Sequence, residues 1–166
     1  MEDFNVFEMM LFTLWIYLPG FLVNTFAMMW GKWLPKTGYG PWPIDGGRLH
    51  KDGNRLLGDG KTWNGLIGGS VTSGLLCYLM TMVPENWVFI SPTEAATGWA
   101  AGAFVMGTFL GFTSLVGDST GSYFKRRKGM NREGNVSSKA PLLDTLPFAI
   151  SVFVFGQIFL TGSAHG

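Results

Sequence analysis

The chain has 166 residues, of which 47% are hydrophobic and only 14% are charged, a balance that excludes an ordinary soluble domain of this size. The net charge of +1 hides a segregated pattern, because all 12 Lys and Arg lie within residues 32–61 and 125–139. The single cysteine, Cys77, excludes an intrachain disulfide and a cysteine-based zinc cluster.

Four segments of the chain contain no Asp, Glu, Lys or Arg. Each can cross a bilayer, since about 20 helical residues span a hydrocarbon core of about 30 Å. The pattern therefore predicts an all-α, polytopic membrane helical bundle that forms one domain over residues 1–166. Its four transmembrane helices are expected at about 9–31, 62–84, 95–117 and 145–163.

The charges between the spans predict the topology. The first loop (residues 32–61) and the second loop (residues 118–144) hold every Lys and Arg, whereas the N-terminus and the connection at 85–94 carry only acidic charges. By the positive-inside rule, both basic loops face the cytoplasm and the N-terminus lies outside.

Small residues at helical spacing predict how the helices pack. Residues of this kind placed four apart let membrane helices approach closely, and they make a homodimer a reasonable expectation. The residues concerned are Gly65, Gly69 and Ser73; Gly98 and Gly102; and Gly107 and Gly111.

The first loop is rich in Gly and Pro, yet it interleaves aromatic and charged residues in a way that a flexible linker would not. We expect it to be irregular but ordered. Its end, Gly58-Asp59-Gly60-Lys61-Thr62, offers backbone N–H groups to a phosphate at the start of the second span. It is not a P-loop, because Arg55 stands where that motif requires Gly.

Two carboxylates flank the second loop. Asp118 closes the third span, and Asp144 opens the fourth, where we expect it to be the N-cap. Mg²⁺ is commonly bound by one or two carboxylates together with water and substrate phosphates, so the pair predicts a magnesium site. The alternative is that Asp144 only caps its helix and that Asp118 is a solvated helix end.

Hydroxyl and basic groups follow Asp118. If the third helix continues past it, Ser122 and Lys125 share its face. The basic residues could neutralise a triphosphate, or they could only attract anionic headgroups and fix the topology. They are Lys125, Arg126, Arg127, Lys128, Arg132 and Lys139.

The second loop resembles the signature of the membrane CTP:phosphatidate cytidylyltransferase family. The matching residues are 117–127 (GDSTGSYFKRR), Gly134-Asn135 and Leu142-Leu143-Asp144. The chain departs from the signature at Lys139-Ala140-Pro141, which stands where the family has His-Gly-Gly. The departure, the small size and residues 43–65 of the chain look like the archaeal branch of the family.

This resemblance implies a reaction. CTP and an isoprenoid ether lipid phosphate, digeranylgeranylglyceryl phosphate, would give a CDP-linked lipid and pyrophosphate, with Mg²⁺ required. It also implies a fifth span in the full family fold. CTP, the lipid phosphate and the surrounding membrane lipids are the expected partners, and nucleic acid is not.

The resemblance also assigns roles to residues of this chain. Asp118 and Asp144 match the metal-binding aspartates and, with Lys125, form the expected catalytic group. The residues expected to bind the substrates are Asp45, Arg48, Arg55, Asp59, Lys61, Asn64, Ser122, Arg126, Arg127 and Lys139.

Two alternatives stay open on the sequence alone. A CDP-alcohol phosphatidyltransferase also uses Mg²⁺ at the membrane face, but Asp52-Gly53-Asn54-Arg55 matches only the beginning of its D-G-x-x-A-R motif. A non-catalytic scaffold or transporter subunit is the other alternative. A transport path would usually place ionisable groups inside the spans, and these spans contain no Asp, Glu, Lys or Arg.

Overall fold

The described part of the chain is built of long helices. The computed structural model describes residues 5–83, 100–129 and 141–163, with side chains for most of residues 146–158 in the last segment. Within these ranges the only β pairing is two isolated bridges, which confirms the all-helical prediction there. The elements are α1 (Val6–Trp33), a 3₁₀-helix (Leu34–Thr37), α2 (Trp63–Met80), α3 (Ala100–Arg127) and α4 (Pro141–Ser163).

Among the residues that the structure describes, two stretches are long and apolar enough to cross a membrane. They are Val6–Thr37, which contains an 18-residue window with a mean hydropathy of 1.8, and Ala100–Arg127, which contains one with a mean hydropathy of 1.5. Within α4, Leu146–Phe155 is a shorter apolar segment. The helices also expose stripes of apolar side chains, which are typical of surfaces that face lipid or another protein. The fold therefore fits a membrane helical bundle. On α2 the stripe consists of Ile67, Val71, Leu75 and Leu79.

Neighbouring helices pack through small residues. A Cβ added to Gly107 of α3 would lie 2.8 Å from the Ser73 carbonyl oxygen of α2. Real Cβ atoms do not come so close to backbone, so only glycine permits this approach, as the spacing predicted. Gly65, Gly69 and Gly111 make similarly close contacts, and Gly98 lies outside the described residues.

Hydrogen bonds tie α1 to α2 and α3 in the middle of the bundle. The Ser73 hydroxyl of α2 donates to the Pro19 carbonyl at 2.8 Å, and the Ser114 hydroxyl of α3 donates to the Gly20 carbonyl at 3.2 Å. Both serine side chains are completely buried, where an unpaired hydroxyl would be costly. These bonds therefore fix the relative depth of the three helices.

A hydrophobic cluster supports the first loop from within the bundle. Val23 of α1, Leu66 of α2 and Leu115 of α3 are buried together, and Ile44 of the first loop packs against them. Because the loop rests on residues that join three helices, its position relative to α2 and α3 is fixed.

The sequence predicted the end of α3 correctly but not the start of α4. α3 continues to Arg127, so Asp118 lies inside a helix and the helix extends past the apolar segment, as expected. α4 begins at Pro141, so the prediction that Asp144 is the N-cap is wrong. Asp144 instead lies in the first turn. Proline suits the first helical position because its φ is fixed at a helical value and its missing N–H has no helical partner there.

Candidate active site

Hydrogen bonds to the start of α2 close the base of the first loop. The Ile44 N–H donates to the Lys61 carbonyl at 2.9 Å. The buried Asn64 side chain accepts from the Trp42 N–H at 3.3 Å and donates to the Tyr39 carbonyl at 3.1 Å. The loop is therefore irregular but ordered, as predicted, and Asn64 belongs to its framework.

Asp45 organises the interior of the loop. Its side chain is only 1% exposed and accepts hydrogen bonds from the N–H groups of Gly47, Leu57 and Gly58 at 3.0 to 3.1 Å. The Arg55 guanidinium donates two more, at 2.7 and 3.2 Å. These donors, the Arg55 guanidinium foremost, hold the pKa of the Asp45 carboxyl well below its usual range. Asp45 is thus a charged centre around which residues 45–58 fold.

Arg55 connects this buried centre to the surface. Its other terminal nitrogen lies 2.7 Å from a carboxylate oxygen of Asp59, whose side chain is 84% exposed. The structure therefore joins three predicted substrate-binding residues, Asp45, Arg55 and Asp59, in one chain of ion pairs. Exposed ion pairs contribute little to stability, so the Asp59 end of this chain is the one that a ligand could displace.

Arg127 fastens the first loop to the end of α3. Its guanidinium lies 2.7 Å from both carboxylate oxygens of Asp52 and donates to the Arg55 carbonyl at 2.8 Å. The guanidinium carbon also lies 5.2 Å from the centre of the Tyr123 ring. A planar guanidinium can make all of these contacts at once, which an ammonium cannot. The structure places this predicted substrate-binding residue between the loop and the helix.

Glycine at position 58 lets Arg126 approach the loop backbone. Gly58 has a φ of +91°, a conformation that residues with a Cβ rarely adopt. A Cβ there would also lie 2.7 Å from a terminal nitrogen of the Arg126 guanidinium. Arg126 therefore lies directly against the glycine-rich end of the loop.

The end of the first loop reaches the predicted metal ligand. The Lys61 ammonium forms an ion pair with the Asp118 carboxylate of α3. The two side chains are 22% and 21% exposed, so the pair is partly buried but still open to solvent. The structure thus joins two predicted site residues that are 57 positions apart in the sequence.

Ser122 and Lys125 follow Asp118 along α3. Ser122 is buried, and its hydroxyl donates to the Asp118 carbonyl at 3.1 Å. Lys125 lies seven residues after Asp118, about two helical turns further on, and so on the same side of the helix. The shared face predicted for these three residues is confirmed for the helical backbone.

α3 and α4 run antiparallel, so that their loop-bearing ends lie together. The Gly117 backbone of α3 meets the Pro147 carbonyl of α4. Further from the loops, the rings of Phe109 and Phe155 pair with centroids 5.9 Å apart. The end of α3 and the beginning of α4 therefore share one end of the bundle.

This arrangement brings the backbones of Asp118 and Asp144 to similar depths. Asp118 directly follows Gly117, and Asp144 precedes Pro147 by three residues. At a rise of about 1.5 Å per residue, the two positions lie within about 3 Å of the same depth along the bundle. Lys139, the remaining predicted site residue, lies outside the described residues.

Carboxylates are ligands that suit Mg²⁺. Nowhere in residues 5–83, 100–129 and 146–158 do three or more His, Cys, Asp or Glu side chains gather closely enough to hold a metal ion. Mg²⁺ does not need such a group, since one or two carboxylates with water and substrate phosphates are commonly sufficient. The Asp118 side chain is 21% exposed, so a hydrated cation could reach its carboxylate.

A groove of about 510 Å³ opens between the first loop and the end of α3. Its lining is mostly apolar and includes Ile44, Leu57, Trp63 and Tyr123, together with Arg48. The Arg48 side chain makes no hydrogen bond or ion pair with any residue that the structure describes. A guanidinium beside apolar walls suits a molecule that carries both a phosphate and a hydrocarbon chain.

Sequence analysis did not identify Asp52 as a site residue. The turn that it forms could be recognised, since its carboxylate accepts from the Asn54 N–H at 3.0 Å, as in many Asp-Gly-Asn turns. Its pairing with Arg127 joins residues 75 positions apart and leaves no mark in the local sequence. The carboxylate that begins the partial phosphatidyltransferase motif is therefore occupied in holding the loop to α3.

Comparison with known proteins identifies relatives over nearly the whole chain. A family model described as CarS-like, CDP-archaeol synthase, matches residues 6–164. The CDP-archaeol synthase of Thermococcus onnurineus is 38% identical over 149 residues, which are 88% of this chain and 74% of the relative. That of Methanosarcina barkeri is 33% identical over 162 residues, 90% of this chain and 82% of the relative.

A solved structure is also similar. It is described as giving structural insight into an intramembrane enzyme for archaeal membrane lipids biosynthesis. The match has a TM-score of 0.62 and 26% identity, and it covers 93% of this chain and 87% of the other.

Proposed function

The chain belongs to the CDP-archaeol synthase family, a family of membrane-embedded nucleotidyltransferases, and we propose that it joins CTP to digeranylgeranylglyceryl phosphate. The products would be CDP-archaeol and pyrophosphate. The observation that carries the proposal is the Lys61–Asp118 ion pair, because it joins the glycine-rich loop to the carboxylate and the basic end of α3. The family also argues against the phosphatidyltransferase and scaffold alternatives.

The reaction needs no nucleophile from the protein. An oxygen of the ionised lipid phosphate forms a bond to the α-phosphorus of CTP, and the bond from that phosphorus to the bridging oxygen of the β-phosphate breaks. Pyrophosphate leaves with the electron pair. The work of the protein is to align the two phosphates and offset their charge, which is how phosphoryl transfer is generally catalysed.

Asp118 and Asp144 are the residues that would hold Mg²⁺. Their backbones lie at similar depths at the loop-bearing end of the bundle, and the Asp118 carboxylate is accessible. Bound there, the ion would offset charge on the triphosphate and on the departing pyrophosphate. Lys61, Lys125, Arg126 and Lys139 are proposed to contact phosphate oxygens around it, and Ser122 to act as a further hydrogen-bonding group.

The other predicted substrate-binding residues divide into two sets. Asp45, Arg55, Asn64 and Arg127 use their polar groups within the protein, so we propose that they support binding by fixing the shape of the loop. Arg48 and Asp59 are exposed, and they are proposed to contact the substrates directly. The apolar groove beside Arg48 supports a place there for the lipid phosphate.

Pyrophosphate release by the purified protein tests the function. With CTP, Mg²⁺ and digeranylgeranylglyceryl phosphate in detergent, we expect release that requires the lipid and stops when EDTA removes the metal. Reactions with ATP or UTP, and with an ester-linked lipid phosphate, measure specificity for the base and the lipid. Folded protein that releases no pyrophosphate from CTP under any of these conditions would contradict the proposal.

We propose that the chain has four spans, with both basic loops in the cytoplasm. Native Cys77 is completely buried, so single cysteines introduced elsewhere can report their side of the membrane. In sealed right-side-out vesicles, a membrane-impermeant maleimide should label Glu2→Cys but not Asp59→Cys. Asp59→Cys should react only after permeabilisation. Labelling of Asp59→Cys in sealed vesicles would overturn the topology.

A further inference from the structure

The carboxylate proposed to bind Mg²⁺ already has a cation beside it. The Lys61 ammonium forms an ion pair with the Asp118 carboxylate. An ammonium and Mg²⁺ on the same carboxylate would repel each other strongly, because they would be only a few ångströms apart in a partly buried site. Binding of the metal therefore favours departure of the ammonium.

Hydrogen bonds hold the Lys61 backbone in place, so the ammonium can change position only by rotation within the side chain. The Lys61 N–H donates to the Gly58 carbonyl at 3.2 Å, and its carbonyl accepts from the Ile44 N–H at 2.9 Å. The next residue, Thr62, caps α2 by accepting from the Gly65 N–H at 3.1 Å. The four methylene groups beyond this anchor allow the ammonium to change partner without any change in the loop.

We propose that Lys61 exchanges partners during substrate binding. Without metal it neutralises Asp118, and when Mg²⁺ and CTP enter, its ammonium moves from the carboxylate to an oxygen of the triphosphate. This inference rests on the proposed function, since it takes Asp118 as a metal ligand. Beyond contacting phosphate oxygens, Lys61 then has a second role. Its ammonium keeps the metal from binding tightly until the nucleotide is present.

The exchange predicts thermodynamic coupling between metal and nucleotide. Metal alone has to displace the ammonium into solvent, whereas metal with CTP gives the ammonium a new anionic partner. CTP should therefore raise the affinity for the metal, and the metal should raise the affinity for CTP by the same factor. Removing the ammonium should tighten binding of the metal alone and weaken this coupling.

Binding of Mn²⁺, measured by the electron paramagnetic resonance of the free ion, tests the exchange without turnover. In detergent and without lipid, Lys61→Met should bind Mn²⁺ alone about tenfold more tightly than the unmodified protein, a typical coupling between two sites. CTP should raise Mn²⁺ affinity less in this variant. Lys61→Arg keeps the charge and should keep the weak binding, and Lys61→Gln offers a second neutral variant if Lys61→Met does not fold.

Lys51→Met is the matched control, because it removes the same charge from an exposed lysine of the same loop. If both neutral variants bind Mn²⁺ no more tightly than Lys51→Met, the exchange is wrong. Asp118→Asn separates this result from failure of the metal assignment. If that variant binds Mn²⁺ as well as the unmodified protein does, Asp118 is not a ligand. If it loses Mn²⁺ binding while the neutral Lys61 variants keep the affinity of the unmodified protein, the metal assignment stands and only the exchange is overturned.

Discussion

Replacing Asp118 or Asp144 with Asn should lower the rate of pyrophosphate release by about a thousandfold or more, since preorganised charge is a large contribution to this kind of catalysis. Asparagine has nearly the size of aspartate but lacks the negative charge that Mg²⁺ requires. Both variants should still insert into the membrane and elute as folded protein. The measurement is the initial rate at saturating CTP and lipid.

A matched control lies beside Asp118 on the same helix. The Ser119 hydroxyl donates to the Leu115 carbonyl at 2.8 Å and has no assigned role in the site. Ser119→Ala should therefore release pyrophosphate at a rate within about twofold of the unmodified protein, as most changes away from special features are nearly neutral. Activity of Asp118→Asn or Asp144→Asn close to that of this control would contradict the metal site.

Replacing Asp45 with Ala should unfold the first loop. The change leaves the Arg55 guanidinium and three backbone N–H groups without their acceptor, and breaking such a buried pair costs about 3 kcal/mol or more. Hydrogen exchange should therefore become faster at the amides of Gly47, Leu57 and Gly58. We also expect turnover to fall, because the end of this loop carries Lys61.

Asp59→Asn is the control for this effect. Asp59 pairs with the same arginine, but its carboxylate is 84% exposed, so its loss should change stability by less than about 1 kcal/mol. Exchange at the three amides should then stay slow. If Asp45→Ala and Asp59→Asn accelerate exchange equally, Asp45 is not the centre of the loop.

The low pKa of Asp45 gives this loop a defined acid sensitivity. The folded pKa lies below the unfolded value of about 3.9, so the stabilisation is fully present well above that pH. It is lost as the pH falls below the unfolded value toward the folded one. Amide exchange, corrected for its intrinsic dependence on pH, should reveal opening of the loop in this acid range, and Asp45→Asn should not show this additional opening.

The sequence predicted the helices well because the membrane imposes a simple rule on them. The four segments without charge are helical over most of the residues that the structure describes, and glycines spaced four residues apart, such as Gly107 and Gly111, lie where helices touch. The start of α4 was mispredicted because two start signals compete there. Asp144 is a good capping residue, but Pro141 is a good first residue, and the helix begins at the proline.

The sequence pointed to the candidate residues of the site but not to the contacts between them. The residue types and their positions at the ends of spans pointed to Asp118, Asp144 and the basic residues that follow Asp118. The pairings of Lys61 with Asp118 and of Arg127 with Asp52 could not be predicted, because they join the first loop to α3 across the fold. Such contacts depend on how α2 and α3 pack, which spacing along one segment does not reveal.

The bonds to Asp45 have a consequence for how this loop can vary between relatives. The Asp45 carboxylate accepts hydrogen bonds from Gly47, Arg55, Leu57 and Gly58 at the same time. The backbone between these residues must therefore have the length that lets it pass around this one carboxylate. Substitution at exposed positions in this stretch of backbone, such as Lys51, leaves that length intact. Insertion or deletion of a single residue there moves two or more donors out of reach, so this stretch should tolerate changes of residue type far better than changes of length.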